Sequence, residues 1–316
     1  MQQACSSTAE LLGELGLNPR HHNGDDHGFP LRVPRTFVQQ MQVGNPHDPL
    51  LKQVLPSQSE ACNGNAFSQD PVNEKNYIVT PGLIHKYRHR VLIISTSVCP
   101  VHCRYCFRRH FPYQEQSLQG KHWQCVLDYL QQHRYVNEVI LSGGDPLSLG
   151  NEKLAAMAAD LQAIEHIRRL RLHSRFPVVL PQRIDAAFIT AFQAVALQKI
   201  FVIHSNHGNE ISDHVCTAVS LLKQAGFTVL NQAVLLRGIN DDERVLCELS
   251  ERLFAAGVLP YYLNVLDRVA GSEHFAVSAQ RIKDIYQAVK RALPGFLVPK
   301  LVHDTGGPDC KRDFLA

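Results

Sequence analysis

The chain has 316 residues, 45% hydrophobic and 19% charged, with a formal net charge of +3. This is ordinary globular composition, able to bury a sizeable core, and so slight a positive excess calls for no nucleic-acid partner. The longest apolar runs are a handful of residues, as in Val91–Ile94, too short to span a membrane, and Met1–Leu17 lacks a basic stretch followed by an apolar one, so a cytoplasmic location is expected.

Residues 1–90 read as an irregular N-terminal extension rich in proline, glycine, asparagine and histidine, with short helices expected at 7–16 and 47–54. From Val91 the text changes, and short β-branched runs alternate with longer amphipathic stretches. Strands are expected at 91–97, 137–142, 169–174, 199–205, 227–235 and 261–266. Helices are expected near 116–133, 151–165, 184–197, 211–225, 241–256 and 277–292. Six strand–helix units at spacings of roughly 30–40 residues imply an α/β domain over 91–295, a parallel sheet covered by helices. The pattern leaves open whether that sheet is flat or curled. A further apolar run, Phe296–Val302, reads as a closing strand within a C-terminal segment, 296–316.

The notable polar residues fall just after the expected strands. They are Cys99–Cys106, Ser142–Asp145, His173–Arg175, Asn206–Glu210, Arg237–Asn240 and Asp267. Active sites of parallel α/β folds lie at the carboxyl ends of strands, so these segments point to one composite site.

Nine cysteines, an odd number, argue against a disulfide framework. Three of them crowd into Cys99-Pro-Val-His-Cys103-Arg-Tyr-Cys106. Thiolates are the soft ligands that iron–sulfur clusters and zinc prefer. Three protein ligands leave one iron of a four-iron cluster open. The alternative is a zinc site with His102 as fourth ligand, although zinc sites usually carry a second ligand pair farther along.

The spacing C-x₃-C-x₂-C, with an aromatic before the last cysteine, resembles the radical S-adenosylmethionine (SAM) superfamily. That resemblance implies a partial (β/α)₆ barrel, a [4Fe-4S] cluster on Cys99, Cys103 and Cys106, and cleavage of SAM to a 5′-deoxyadenosyl radical. Ser142-Gly143-Gly144-Asp145 resembles the superfamily's GGE-type segment, which contacts the SAM methionine amine; glycines admit close backbone approach and a carboxylate accepts from an ammonium.

Longer matches resemble the lysine 2,3-aminomutase family. They are Pro81–Arg90, Cys103–Tyr113, Ser142–Leu147, Ser174–Arg183 and Asn231–Asn240, and the Cys103–Tyr113 wording is most similar to the branch serving bacterial elongation factor P. The family converts (S)-α-lysine to (R)-β-lysine, and in that branch a ligase attaches the product to the translation factor. The resemblance implies pyridoxal 5′-phosphate (PLP) on Lys311 as a Schiff base, with Lys300 as the fallback. It implies PLP-phosphate contacts at Lys86, Tyr87 and Arg90. It implies Arg108 on the substrate carboxylate and Asp267 with Asp304 on the ε-ammonium of L-lysine. It also implies a flavodoxin- or ferredoxin-type electron donor. The alternatives are an aminomutase for another amino acid such as glutamate, or a non-catalytic iron–sulfur or zinc module. His204, His207, Asn206, Glu210, Gln232 and Asn240 stay unassigned.

Overall fold

The computed structural model describes every residue except 1–3, 23, 62, 63, 65, 119, 120, 305, 306, 308–310 and 316. The N-terminal part begins with β1 (Ala4–Cys5) and α1 (Thr8–Glu14), whose first turn is capped by the Ser7 hydroxyl accepting from Glu10 N–H. β2 (Val33–Pro34) pairs antiparallel with β1 and leads into α2 (Arg35–Val38). The helix expected at 47–54 is only a 3₁₀ turn, Leu51–Gln53, because the Asp48 carboxylate takes the amides of Leu50 and Leu51.

A single sheet of ten strands forms the body. β3 (Ile78–Thr80) and β4 (Leu83–Tyr87) lie in the stretch read as irregular, yet they pair antiparallel with each other and β4 with β5. The strands β5 (Arg90–Thr96), β6 (Glu138–Gly143), β7 (Arg169–Ser174), β8 (Gln198–His204), β9 (Phe227–Leu235), β10 (Leu259–Val265) and β11 (Lys300–His303) then run parallel in chain order. Helices α3 (His122–Gln132), α4 (Asn151–Gln162), α5 (Phe176–Val179), α6 (Ala186–Gln193), α7 (Asp213–Gln224), α8 (Glu243–Ala255) and α9 (Ala279–Ala292) fall between them. Every strand expected from 91 to 266 is present within two residues at each end. The closing run is shorter than expected, since Gly295–Leu297 is a 3₁₀ turn and only Lys300–His303 joins the sheet.

Helix spacing explains the packing. In α4, Leu154, Met157, Ala158 and Leu161 are buried, three and four residues apart, and α8 repeats this with Leu246, Leu249 and Leu253. Asp185, Asp242 and Ser278 cap α6, α8 and α9 through their side-chain oxygens. β6, covered on both faces, is buried throughout.

The sheet curls. Lys86 on β4 and Asp304 just after β11 sit near opposite ends of the strand order, yet Lys86 Nζ donates to Asp304 Oδ1 at 2.5 Å. The short β12 (Arg312–Asp313) turns back antiparallel to β11, with His303 opposite Arg312. This return sets Lys311 at the same end as Asp304. Among the described residues, no helix is long and apolar enough to cross a membrane.

Candidate active site

A cavity of about 440 Å³ opens at the carboxyl ends of the parallel strands; every residue to which the family resemblance gives a role, the fallback Lys300 aside, lines it, as do His204 and Gln232, whereas Asn206, His207, Glu210 and Asn240 do not. Cys99, Cys103 and Cys106 lie on one loop after β5, closed by Cys106 N–H donating to the Cys103 carbonyl at 3.0 Å. All three are free thiols, whereas Cys62 and Cys310 lie outside the described residues. Burial, and then the neighbouring Cys106, pushes the Cys99 thiol well up; burial, and then Cys103, pushes Cys106 up to about 11. Metal charge converts such protonated thiols to thiolate ligands.

Ligand spacing bears on cluster against zinc. One tetrahedral zinc draws its sulfurs to about 3.8 Å apart, given Zn–S bonds of about 2.3 Å. Among the described residues only Cys5, Glu10 and Glu14 bring three ligand atoms within 4.8 Å of one another, and there Arg35 already bridges the two carboxylates. The three sulfurs of the cavity loop do not all fall within 4.8 Å of one another. His102 does not converge on them either: its Nδ1–H donates to the Pro30 carbonyl at 2.7 Å and its ring stacks on Phe29.

The loop is bolted to the N-terminal part. Arg104, without exposure, forms an ion pair with Glu60 and donates to the carbonyls of Phe29 and Asp26; Arg109 reaches the same Glu60 at 2.9 Å.

Gly143 and Gly144 follow β6 and press against the segment leading into the cysteines. Gly143 has φ +123°, and a Cβ there would stand 2.5 Å from the Thr96 carbonyl; one on Gly144 would stand 2.5 Å from that of Val98. The close approach that demands glycine is thus to the chain's own backbone. Asp145 is the N-cap of the next turn. Its Oδ1 accepts from Leu147 N–H and its Oδ2 from Arg175 N–H, and burial raises the carboxyl to about 7 despite those bonds. Both oxygens therefore already hold backbone amides.

At the opposite wall Lys311 Nζ donates to Asn264 Oδ1 at 2.5 Å and lies over the Tyr262 ring. Burial lowers its pKa, opposed by Asp267 and Asp304. Asp267 is itself raised to about 6, chiefly by burial, with Lys311 pulling the other way. A desolvated amine of this kind supplies the neutral nucleophile that carbonyl condensation needs. Lys300 is exposed and does not line the cavity.

Lys86 and Tyr87, expected at a phosphate, both hold Asp304: Lys86 donates to Oδ1 and the Tyr87 hydroxyl to Oδ2 at 2.9 Å. Arg90 lines the same wall, stacked 4.3 Å from the Tyr87 ring centroid, with no ion pair to any described residue. That unneutralised guanidinium fits an anion such as the PLP phosphate. Arg108 spans the middle. Glu74 grips its Nε and Nη2 at 2.7 and 2.6 Å, and its Nη1 donates to Ser142 Oγ.

Behind the cysteines lies a buried polar network. Arg175 donates to Tyr105 Oη, Gln53 Oε1 and Cys103 Sγ; Tyr105 Oη and His204 Nε2 are 2.9 Å apart. Burial and then Arg175 push His204 down to about 3, so the ring is neutral. Asn240 is spent on neighbouring backbone groups, and Asn206 accepts from Val234 N–H while its amide nitrogen donates to Gln53 Oε1 and Tyr105 Oη within this network, which makes both structural. Sequence reasoning missed Glu74 and Asn264. Glu74 falls in a stretch without periodicity, whereas Asn264, a polar residue on a strand otherwise apolar at its centre, carried a readable signal.

The sequence pattern of the radical SAM superfamily matches residues 93–249. The chain is 47% identical to the L-lysine 2,3-aminomutase of Escherichia coli (strain K12), over 90% of this chain and 82% of that protein. It is 46% identical to that of Haemophilus influenzae (88% and 82%) and 36% identical to that of Clostridium subterminale (88% and 67%). A radical SAM methyltransferase from Sphaerobacter thermophilus shares the fold at TM-score 0.50, with 17% identity over 73% of this chain and 72% of that one. With the cysteine loop, the parallel sheet and these identities together, the chain belongs to the lysine 2,3-aminomutase family of radical SAM enzymes.

Proposed function

We propose that the protein is a PLP-dependent L-lysine 2,3-aminomutase that converts (S)-α-lysine to (R)-β-lysine. The observation that carries this reading is one cavity bounded by Cys99, Cys103 and Cys106 on one side and by the desolvated Lys311 on the other. When bound, the cluster and SAM supply a hydrogen-abstracting radical and PLP supplies an electron-accepting carbonyl partner for the substrate amine.

The chain's own residues bind, orient and enclose. The three cysteines would hold the cluster through three thiolates, with one iron open to SAM and Ser142–Asp145 available to contact it. Lys311 would hold PLP, and Arg90, with Tyr87 and Lys86 beside it, would receive its phosphate. Arg108, its fork fixed by Glu74, presents its remaining donors to the substrate carboxylate. Asp267 and Asp304 take the ε-ammonium; two acids there attract a lysine side chain and repel that of glutamate. Lys86 and Tyr87 keep the Asp304 carboxylate aimed. The curled sheet is read as a partial (β/α)₆ barrel, with the N-terminal extension and the Lys311 tail excluding water from its mouth. A flavodoxin- or ferredoxin-type donor supplies the electron, and the β-lysine goes to elongation factor P through a ligase, as the Cys103–Tyr113 wording supports.

The test supplies anaerobic, iron-reconstituted, reduced protein with SAM, PLP and either lysine or glutamate, and resolves the products for position and handedness. (R)-β-Lysine from lysine is the expected result. A product from glutamate alone overturns the substrate. Zinc in place of roughly four irons per chain overturns the chemistry.

A further inference from the structure

Strand β7 turns a polar side chain into the cavity that none of the assignments above uses. Its residues alternate: Leu170 and Leu172 join the hydrophobic core, while Arg171 and His173 line the cavity. Arg171 is held by Glu138. The His173 side chain has no hydrogen bond to any described residue, and its Nε2 is shut away from solvent without a partner. Native structures seldom leave an imidazole nitrogen in that condition, because the lost solvation is not recovered.

The surroundings say what kind of group completes it. Burial, and then Arg171, Lys311, Arg108 and Arg90, hold the ring well below its ordinary pKa, so it is neutral. A neutral imidazole keeps one N–H donor and one acceptor. Placed among cations, its N–H suits an electron-rich oxygen or nitrogen of a ligand. The chain fixes where that ligand lies. Two residues on, Arg175 reaches Cys103 Sγ, whereas Lys311 lines the same cavity as His173 and its charge acts on the ring. His173 therefore stands between the lysine wall and the cysteine wall.

We propose that His173 is a cofactor-contacting residue: its ring N–H donates to an acceptor on the pyridoxal ring, the phenolic oxygen or the ring nitrogen, and fixes the tilt of that ring between Lys311 and the cysteine loop. The inference rests on the reading that Lys311 carries PLP. Its job is positioning, and no proton transfer is assigned to it.

The test is a PLP titration of reconstituted protein, followed by absorbance, for the wild type, His173→Phe and His173→Gln, with iron content and SAM binding measured alongside. His173→Phe keeps a ring without the N–H. It is expected to bind PLP about tenfold more weakly, with its absorbance band displaced, while iron and SAM binding stay at wild-type levels. His173→Gln keeps a donor and recovers part of the affinity. His173→Ala replaces the phenylalanine variant should that one lose iron through crowding. Unchanged PLP affinity and an unchanged band in the variant lacking the N–H overturn the proposal and leave His173 a wall residue. A wild type that takes up no PLP overturns the Lys311 reading, and this one with it.

Discussion

An amine condenses with a carbonyl only when it is unprotonated, and two opposing influences decide this at Lys311. Burial lowers its pKa, while Asp267 and Asp304 raise it. Lys311→Ala is therefore expected to abolish the yellow colour that PLP gains on covalent attachment, while the exposed Lys300→Ala keeps it; absorbance spectra of the two variants check this. Asp267→Asn removes one acid from the proposed ε-ammonium site. Hydrogen bonds to charged groups contribute about 1.5–3 kcal/mol, so KM for lysine is expected to rise by roughly 10- to 150-fold with PLP content unchanged. In the wild type, Asp267 at about 6 takes up a proton as pH falls through that value. The attraction for the ammonium goes with it, and KM for lysine should climb below about pH 6 in steady-state assays.

At the scale of elements, the cysteine loop owes its shape to the N-terminal part. Glu60 is fully buried at its side chain and answers both Arg104 and Arg109. Removing one partner of a buried pair strands charge and costs about 3–5 kcal/mol. Glu60→Gln is expected to lower the thermal midpoint and to lessen iron retention after reconstitution, read by melting curves and iron assay. Such ties were not legible in the sequence, because nothing local couples residue 60 to residue 104. The parallel strands were legible: apolar runs bounded by helical periodicity leave little choice. β3 and β4 were not, since Pro81-Gly82 between them and the polar His85–Arg90 read as loop. Asp145-Pro146 had two readings. Besides the ligand contact that the resemblance implies, an acid before proline is the wording of an N-cap followed by N1, and the structure shows that cap.

At the scale of the whole molecule, the curl of the sheet gathers the two halves of the site, and strand periodicity carries no information about curl. The Cys99 loop follows β5 and Lys311 follows β11, and only closure of the sheet makes them share a cavity. Enclosure also sets how the protein answers to pH. Folding raises the Cys99 thiol well above its ordinary value and Cys106 to about 11. In the unfolded chain these thiols ionise near pH 8.5. Above that pH the folded metal-free state holds protons that the unfolded state has released, so stability falls as pH rises. The contribution is fully present below about pH 8.5 and is lost as pH climbs toward the folded-state values. Iron binding removes the difference, since a metal-bound thiolate carries no proton. The metal-free protein is therefore expected to lose thermal midpoint between about pH 8 and 9.5, and Cys99→Ser with Cys106→Ser to lose less. The reconstituted protein should show a flatter profile over the same range. Equal slopes in anaerobic melting curves of the metal-free and reconstituted forms would show that these thiols do not face a shared, water-poor metal site.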